Sequence, residues 1–242
     1  VTHVADKEVA VIDIVIDRTY VDYDRNWVGF HTRKWNRDPE RYSGFVHTAL
    51  ADQIGAAEAD EILQLTSTPH KLKFLETVAK RIWLSQFENY SRFIGRKLVY
   101  KSGDETIDNI MEDAGAICSE KVQALKFLTD HYGIESEIVL AGPDVQRPVP
   151  EARLRELLTT FDFRYSKRHM RYWQHIALRY SIGGSSVLVD ATNGNIPFLF
   201  LRDSAADDLL GYGPKPSVKV KMAVHEEEFY YHRVSQDIGD RL

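Results

Sequence analysis

The sequence predicts an α+β fold, and three observations carry that reading. Apolar residues recur at helical spacing from about Phe45 to His131. Short β-branched segments with alternating character follow, from Ser136 onward. The order, helices first and antiparallel strands afterwards, predicts helices packed on one antiparallel sheet.

The elements are read in chain order. Residues 9–16, "VAVIDIVI", alternate Ala10, Ile12, Ile14 and Ile16 against Asp13 and Asp17, as a half-buried strand does. The next thirty residues, with Trp27, Phe30, Trp35 and "RDPE", read as irregular. Val46, Leu50 and Ile54 then recur every four residues, and Ile62 and Leu65 extend the apolar content. "STPHKLKFLETVAKRIWLSQFENYSRF" is the clearest helix, with Thr68 as the expected N-cap, Pro69 at the first helical position and Gly95 as the expected end. Its stripe is Leu72, Leu75, Val78, Ala79 and Ile82.

A second helix is expected from Ser119 to His131, stopped by Gly133, with the buried strand "SEIVLAG" after it. The polar, proline-containing stretch 143–170 reads as an insertion carrying a short helix, "EARLRELLTTF". Strands "QHIALRY" and "SVLVDAT" flank "SIGGSS". "SVKVKMAV" alternates Val218, Val220, Met222 and Val224 against Lys219 and Lys221, as an edge strand does. "EEFYYHRV" is expected to continue or pair with it.

Composition bounds what such a fold does. The chain has 242 residues, 43% hydrophobic, without repeats or low-complexity tracts. One domain over 1–242 is expected, with residues 1–66 as an N-terminal extension packed on it. A net charge of −5 gives no general attraction to nucleic acid or to an anionic membrane. The apolar runs fall far short of the roughly 20 residues that span a bilayer. One cysteine excludes an internal disulfide framework and a multi-thiolate metal site. Cytoplasmic location is the default expectation.

That cysteine, Cys118, follows the small residues Gly115 and Ala116 and opens the second helix. There the macrodipole and free N–H groups favour a thiolate. Placement alone also suits an inert buried thiol. The second half of the constellation lies in the hairpin. If Gly183-Gly184 forms a two-residue turn, Ile182 pairs with Ser185 and Asp190 falls opposite Ala177. His175 shares the face of Ala177 and becomes Asp190's diagonal neighbour, about 7–8 Å away between backbones and within side-chain reach. Such a pair also occurs merely to stabilise a sheet. Together, the three residues supply a nucleophile, a base and an orienting carboxylate.

"AICSEKVQALKFLTDHYGIESEIVLAG", "HIALRY" and "VLVDAT" resemble the transglutaminase-like cysteine enzymes. Their motif is a small-residue turn, Cys and an apolar helix, then Gly-Ile and a strand, a His-initiated strand and an Asp-x-Thr strand end. The resemblance covers roughly residues 70 to 195, including the order Cys, His, Asp and the 15-residue step from His to Asp. It implies a cysteine-protease-type α+β fold and acyl transfer at an amide or thioester carbonyl. Cys118 is then the nucleophile, His175 the general base and acid, and Asp190 the orienting carboxylate. Water gives a peptidase or amidase (a thiol protease or hydrolase); an amine acceptor gives an amide-forming transferase. The pattern differs from the family's usual one at Ala116, often Gly, and after the His, where "HIAL" is aliphatic. The long Cys-to-His gap fits an insertion at 143–170 near the active site.

Trp83, Gln86 and Tyr100 are candidates for a second oxyanion donor beside the Cys118 N–H. No metal or organic cofactor is implied, and no calcium loop is recognisable. "HEEEFYYHR", with His225, Glu226, Glu227, Glu228 and His232, lacks helical HExxH spacing and reads as a solvated acidic edge. Lys167, Arg168, Arg171, Tyr172 and Trp173 read as a cleft wall or plain surface rather than a nucleic-acid site. The rival readings are a noncatalytic binding or scaffold domain that keeps the fold, and a buried structural cysteine.

Overall fold

Five antiparallel strands and six helices are built from the residues that the computed structural model describes: 39–88, 101–143, 151–160, 175–192, 198–202 and 229–235. The expected strands at 9–16 and 217–224, the basic-aromatic stretch before His175, His225 with Glu226–Glu228, Tyr100 and Gly95 lie outside them. The strands are β1 (Ser136–Pro143), β2 (His175–Ile182), β3 (Ser185–Asp190), β4 (Leu199–Arg202) and β5 (Phe229–Arg233), in spatial order β4-β3-β2-β1-β5. The chain is α+β, with α1 (Pro39–Ile54), α2 (Ala56–Leu63), α3 (Thr68–Leu84), α4 (Gly103–Met111) and α5 (Cys118–His131) all preceding the sheet. A sixth helix, α6 (Glu151–Thr160), lies between β1 and β2.

The sheet separates two apolar clusters, because successive side chains on a strand face opposite sides. On one face Leu140, Ile176, Leu178, Tyr180, Ile182, Val187 and Val189 pack with Leu75, Val78, Ile82, Leu125 and Leu128 of the helices. On the other face Val139, Ala141, Ala177, Leu188, Leu199 and Tyr231 form a smaller cluster. Helices α1 and α2 add Tyr42, Phe45, Val46, Leu50 and Ile62 to the larger core, and α6 adds Leu154.

Several expected boundaries move. Helix α1 starts at Pro39, inside the stretch read as irregular, because proline suits the first turn, where a helix needs no N–H from it. Ser67, one residue before the expected N-cap, accepts from the His70 N–H at 3.3 Å to start α3. The helix stops at Leu84, well short of Gly95. Ser85 turns to extended backbone there, and its hydroxyl and the Lys121 ammonium take carbonyls of the last turn. Helix α4 was not foreseen, although Ser102 and Glu105 form a capping pair, with the Ser102 N–H donating to Glu105 Oε2 at 2.8 Å. Strand β5 pairs with β1, and its relation to 217–224 lies outside the described residues.

The hairpin follows the expected register, Ile182 with Ser185 through Leu178 with Val189. Gly183 and Gly184 have φ of 59° and 80°, the positive pair that a two-residue turn of matching twist requires. A side chain at Gly184 meets nothing within 4 Å, whereas one at Gly183 would approach Thr68 Oγ1 to 2.5 Å. Gly184→Ala is therefore expected to cost about 1–2 kcal/mol from backbone conformation alone, and Gly183→Ala more. Thermal unfolding of both variants checks this, and equal losses would contradict the contact with α3.

Candidate active site

The turn before Cys118 is held by main-chain contacts that only a small residue permits. The Ala116 N–H donates to Gln86 O at 3.1 Å and the Glu88 N–H donates to Ala116 O at 3.4 Å, a parallel bridge centred on Phe87 and Ala116. A Cβ on Gly115 would stand 2.2 Å from Gln86 O, so the two segments could not lie this close with any other residue. Buried Glu120 ties a further loop in. Its Oε2 accepts from the Ile117 N–H at 3.1 Å and its Oε1 from the Lys101 N–H at 3.0 Å.

Cys118 is thus delivered, half-buried, as the first residue of α5. Its N–H lies in the first turn, where no carbonyl four residues back within the helix is available. Of the two oxyanion candidates among the described residues, Gln86 is the one whose backbone runs beside this turn. Trp83 packs against the main core.

His175 opens β2, in register with Ala141, and Asp190 closes β3. The diagonal contact expected from the turn is present: His175 Nε2 donates to Asp190 Oδ2 at 2.8 Å. Both side chains are buried. The Cys118 thiol lies close enough to the imidazole to favour its charged form. Nε2 serves Asp190, so a proton exchanged with sulfur passes through Nδ1. By strand parity His175 and Asp190 lie on the face of Ala177 and Leu188, away from the main helical core. The meeting with Cys118 therefore occurs at the end of the sheet, where both β2 and α5 begin, rather than across the middle of the helix–sheet interface.

Asp190 accepts from three further donors. The Tyr231 hydroxyl reaches Oδ2 at 2.7 Å, and the Thr192 N–H and hydroxyl reach Oδ1 at 3.1 and 3.3 Å. Tyr231 pairs with Ala141, which in turn pairs with His175, so small alanines leave room for the phenol over the sheet. Thr192 was visible as the end of the Asp-x-Thr motif. Tyr231 was not, because nothing local says that a tyrosine 41 residues on shares this carboxylate.

The charges follow from these contacts. Burial opposes ionisation of Asp190, but His175, Tyr231 and the Thr192 N–H together hold its carboxyl below the usual range. Burial likewise opposes the imidazolium, but Asp190, with a further contribution from Cys118, outweighs it and raises His175 to about 10. Burial and the Asp190 charge push Tyr231 well above a phenol's ordinary value, so it remains a donor. Chemically, this arrangement can keep a cation beside sulfur and return a proton through Nδ1.

Among the described residues, no group of three or more His, Cys, Asp or Glu could hold a metal ion. None of their helices is long and apolar enough to cross a membrane. His232 lies on β5, opposite Leu140. No protein-family model, curated protein or solved structure matches the chain.

Proposed function

We propose that this chain is a cysteine-dependent acyl-transfer enzyme of the transglutaminase-like, cysteine-protease type. One observation carries the reading: the Cys118 thiol, at the start of a helix, lies close enough to act on an imidazole whose Nε2 is 2.8 Å from a buried carboxylate. Nδ1 of His175 takes the thiol proton, and the sulfur attacks an amide or thioester carbonyl. The leaving amine or thiol departs with the proton from His175, and an acyl-enzyme thioester remains. Water or an amine, giving its proton to His175, attacks the same carbonyl; the C–S bond breaks, Cys118 leaves as the thiolate, and an acid or a new amide is released. Asp190 keeps the ring in the tautomer that presents Nδ1 to sulfur, and Tyr231 and Thr192 keep Asp190 in place.

The test is the rate of Cys118 alkylation by iodoacetamide against pH, in wild type and His175→Ala. Wild type is expected to react with a midpoint well below the ordinary thiol value of about 8.5, and His175→Ala to move the midpoint back toward it. An ordinary midpoint indifferent to His175 would favour a scaffold. Protection of the thiol until denaturation would favour a structural cysteine.

A further inference from the structure

We propose that Lys121 is a positioning residue for the Cys118 thiolate, a second buried cation that favours the charged sulfur independently of His175. The proposal rests on the acyl-transfer reading of Cys118 and adds to it a residue outside the His–Asp pair.

Lys121 lies three residues after Cys118 on α5, on the same side of the helix, where side chains are neighbours about 5–6 Å apart at Cβ. Its side chain is only 2% exposed. A buried ammonium is costly unless paired and hydrogen-bonded. The partners of Nζ are two neutral carbonyls at the end of α3, Ser85 O at 2.7 Å and Trp83 O at 3.5 Å. These carry the negative end of the α3 macrodipole but no full charge. Among the described residues Lys121 forms no ion pair. The buried carboxylate next to it in sequence, Glu120, accepts from the N–H groups of Ile117 and Lys101. Cys118, on the same helix face, is the ionisable group whose negative charge acts on Lys121. Burial lowers Lys121 to about 8, against an opposing pull from Cys118, so the ammonium persists at neutral pH.

The anchor also determines where the charge sits. By binding Ser85 O, Lys121 holds the start of the 85–88 segment that runs beside the cysteine turn. A purely structural role would end there. The electrostatic role predicts more: loss of the charge makes the thiol harder to ionise, whether or not His175 is present.

The experiment is the pH profile of Cys118 alkylation by iodoacetamide in Lys121→Met and Lys121→Arg, each alone and combined with His175→Ala. Lys121→Met is expected to raise the midpoint by about one pH unit. Rates well below the midpoint should then fall about tenfold. Lys121→Arg should keep the wild-type midpoint, and the methionine shift should persist in the His175→Ala background. A wild-type midpoint in Lys121→Met, or equal shifts for methionine and arginine, would overturn the proposal.

Wild-type protein gives a second measurement if Lys121→Met does not fold. Coupling between two sites is reciprocal, so blocking the thiol as a methyl disulfide should lower the Lys121 midpoint followed by nitrogen-15 NMR. An unmoved midpoint would overturn the proposal equally. The acyl-transfer reading is judged separately, by the effect of His175→Ala alone.

Discussion

Replacing Asp190 with alanine is expected to lower stability at pH 7 by about 3–5 kcal/mol, as for one partner removed from a buried ion pair. The carboxylate is 2% exposed and accepts from His175, Tyr231 and Thr192, so its loss strands a buried imidazole, a phenol and a main-chain N–H together. Asp190→Asn keeps the shape and removes the charge. It should retain part of the stability and still fail to support the low thiol midpoint. The pH dependence has a definite sign. His175 lies at about 10 in the fold, above its ordinary 6.5. The contribution of His175 is therefore complete below about 6.5 and is lost as pH rises through about 10, whereas that of Asp190, whose carboxyl is depressed, is lost as pH falls through its folded value. Urea unfolding across that range should show this slope in wild type and lose it in Asp190→Asn. Equal slopes would mean that the His–Asp contact is not an ion pair.

Gly115→Ala is expected to be the most damaging small substitution near the site. Its Cβ would lie 2.2 Å from Gln86 O and 2.7 Å from Gln86 C, both backbone atoms that no side-chain rotation can move. The 86–88 segment must separate from Ala116, giving up the two main-chain bonds of that bridge. Overpacking costs about 1–3 kcal/mol, and each lost main-chain bond about 1 kcal/mol more. The turn that delivers Cys118 shifts with it, so the thiol midpoint should rise toward the ordinary value along with the fall in melting temperature. A wild-type melt and wild-type alkylation profile together would show that the close approach has no bearing on the thiol.

The parts of the site legible in the sequence are those set over short distances. Two glycines fixed the hairpin turn, strand alternation fixed which residues share a face, and their combination placed His175 beside Asp190. A small-residue turn followed by apolar periodicity placed Cys118 at the start of α5. Two of the misses were also local in kind. Polar residues obscured the first turns of α1, and the capping pair of α4 was passed over. A lysine 36 residues away in sequence takes part in ending α3.

Taken alone, the sequence determined an α+β chain, the hairpin register and one cysteine opening a helix, because turn geometry and side-chain periodicity act within a few residues. Only the tertiary structure decided that the helix start and the strand start meet at one end of the sheet. It also decided that Tyr231 shares Asp190, and that Glu120 and Lys121 are buried around the cysteine turn. Those contacts join segments far apart in the chain. They form because a buried polar group must find its partner wherever packing brings one, and no local pattern records that choice.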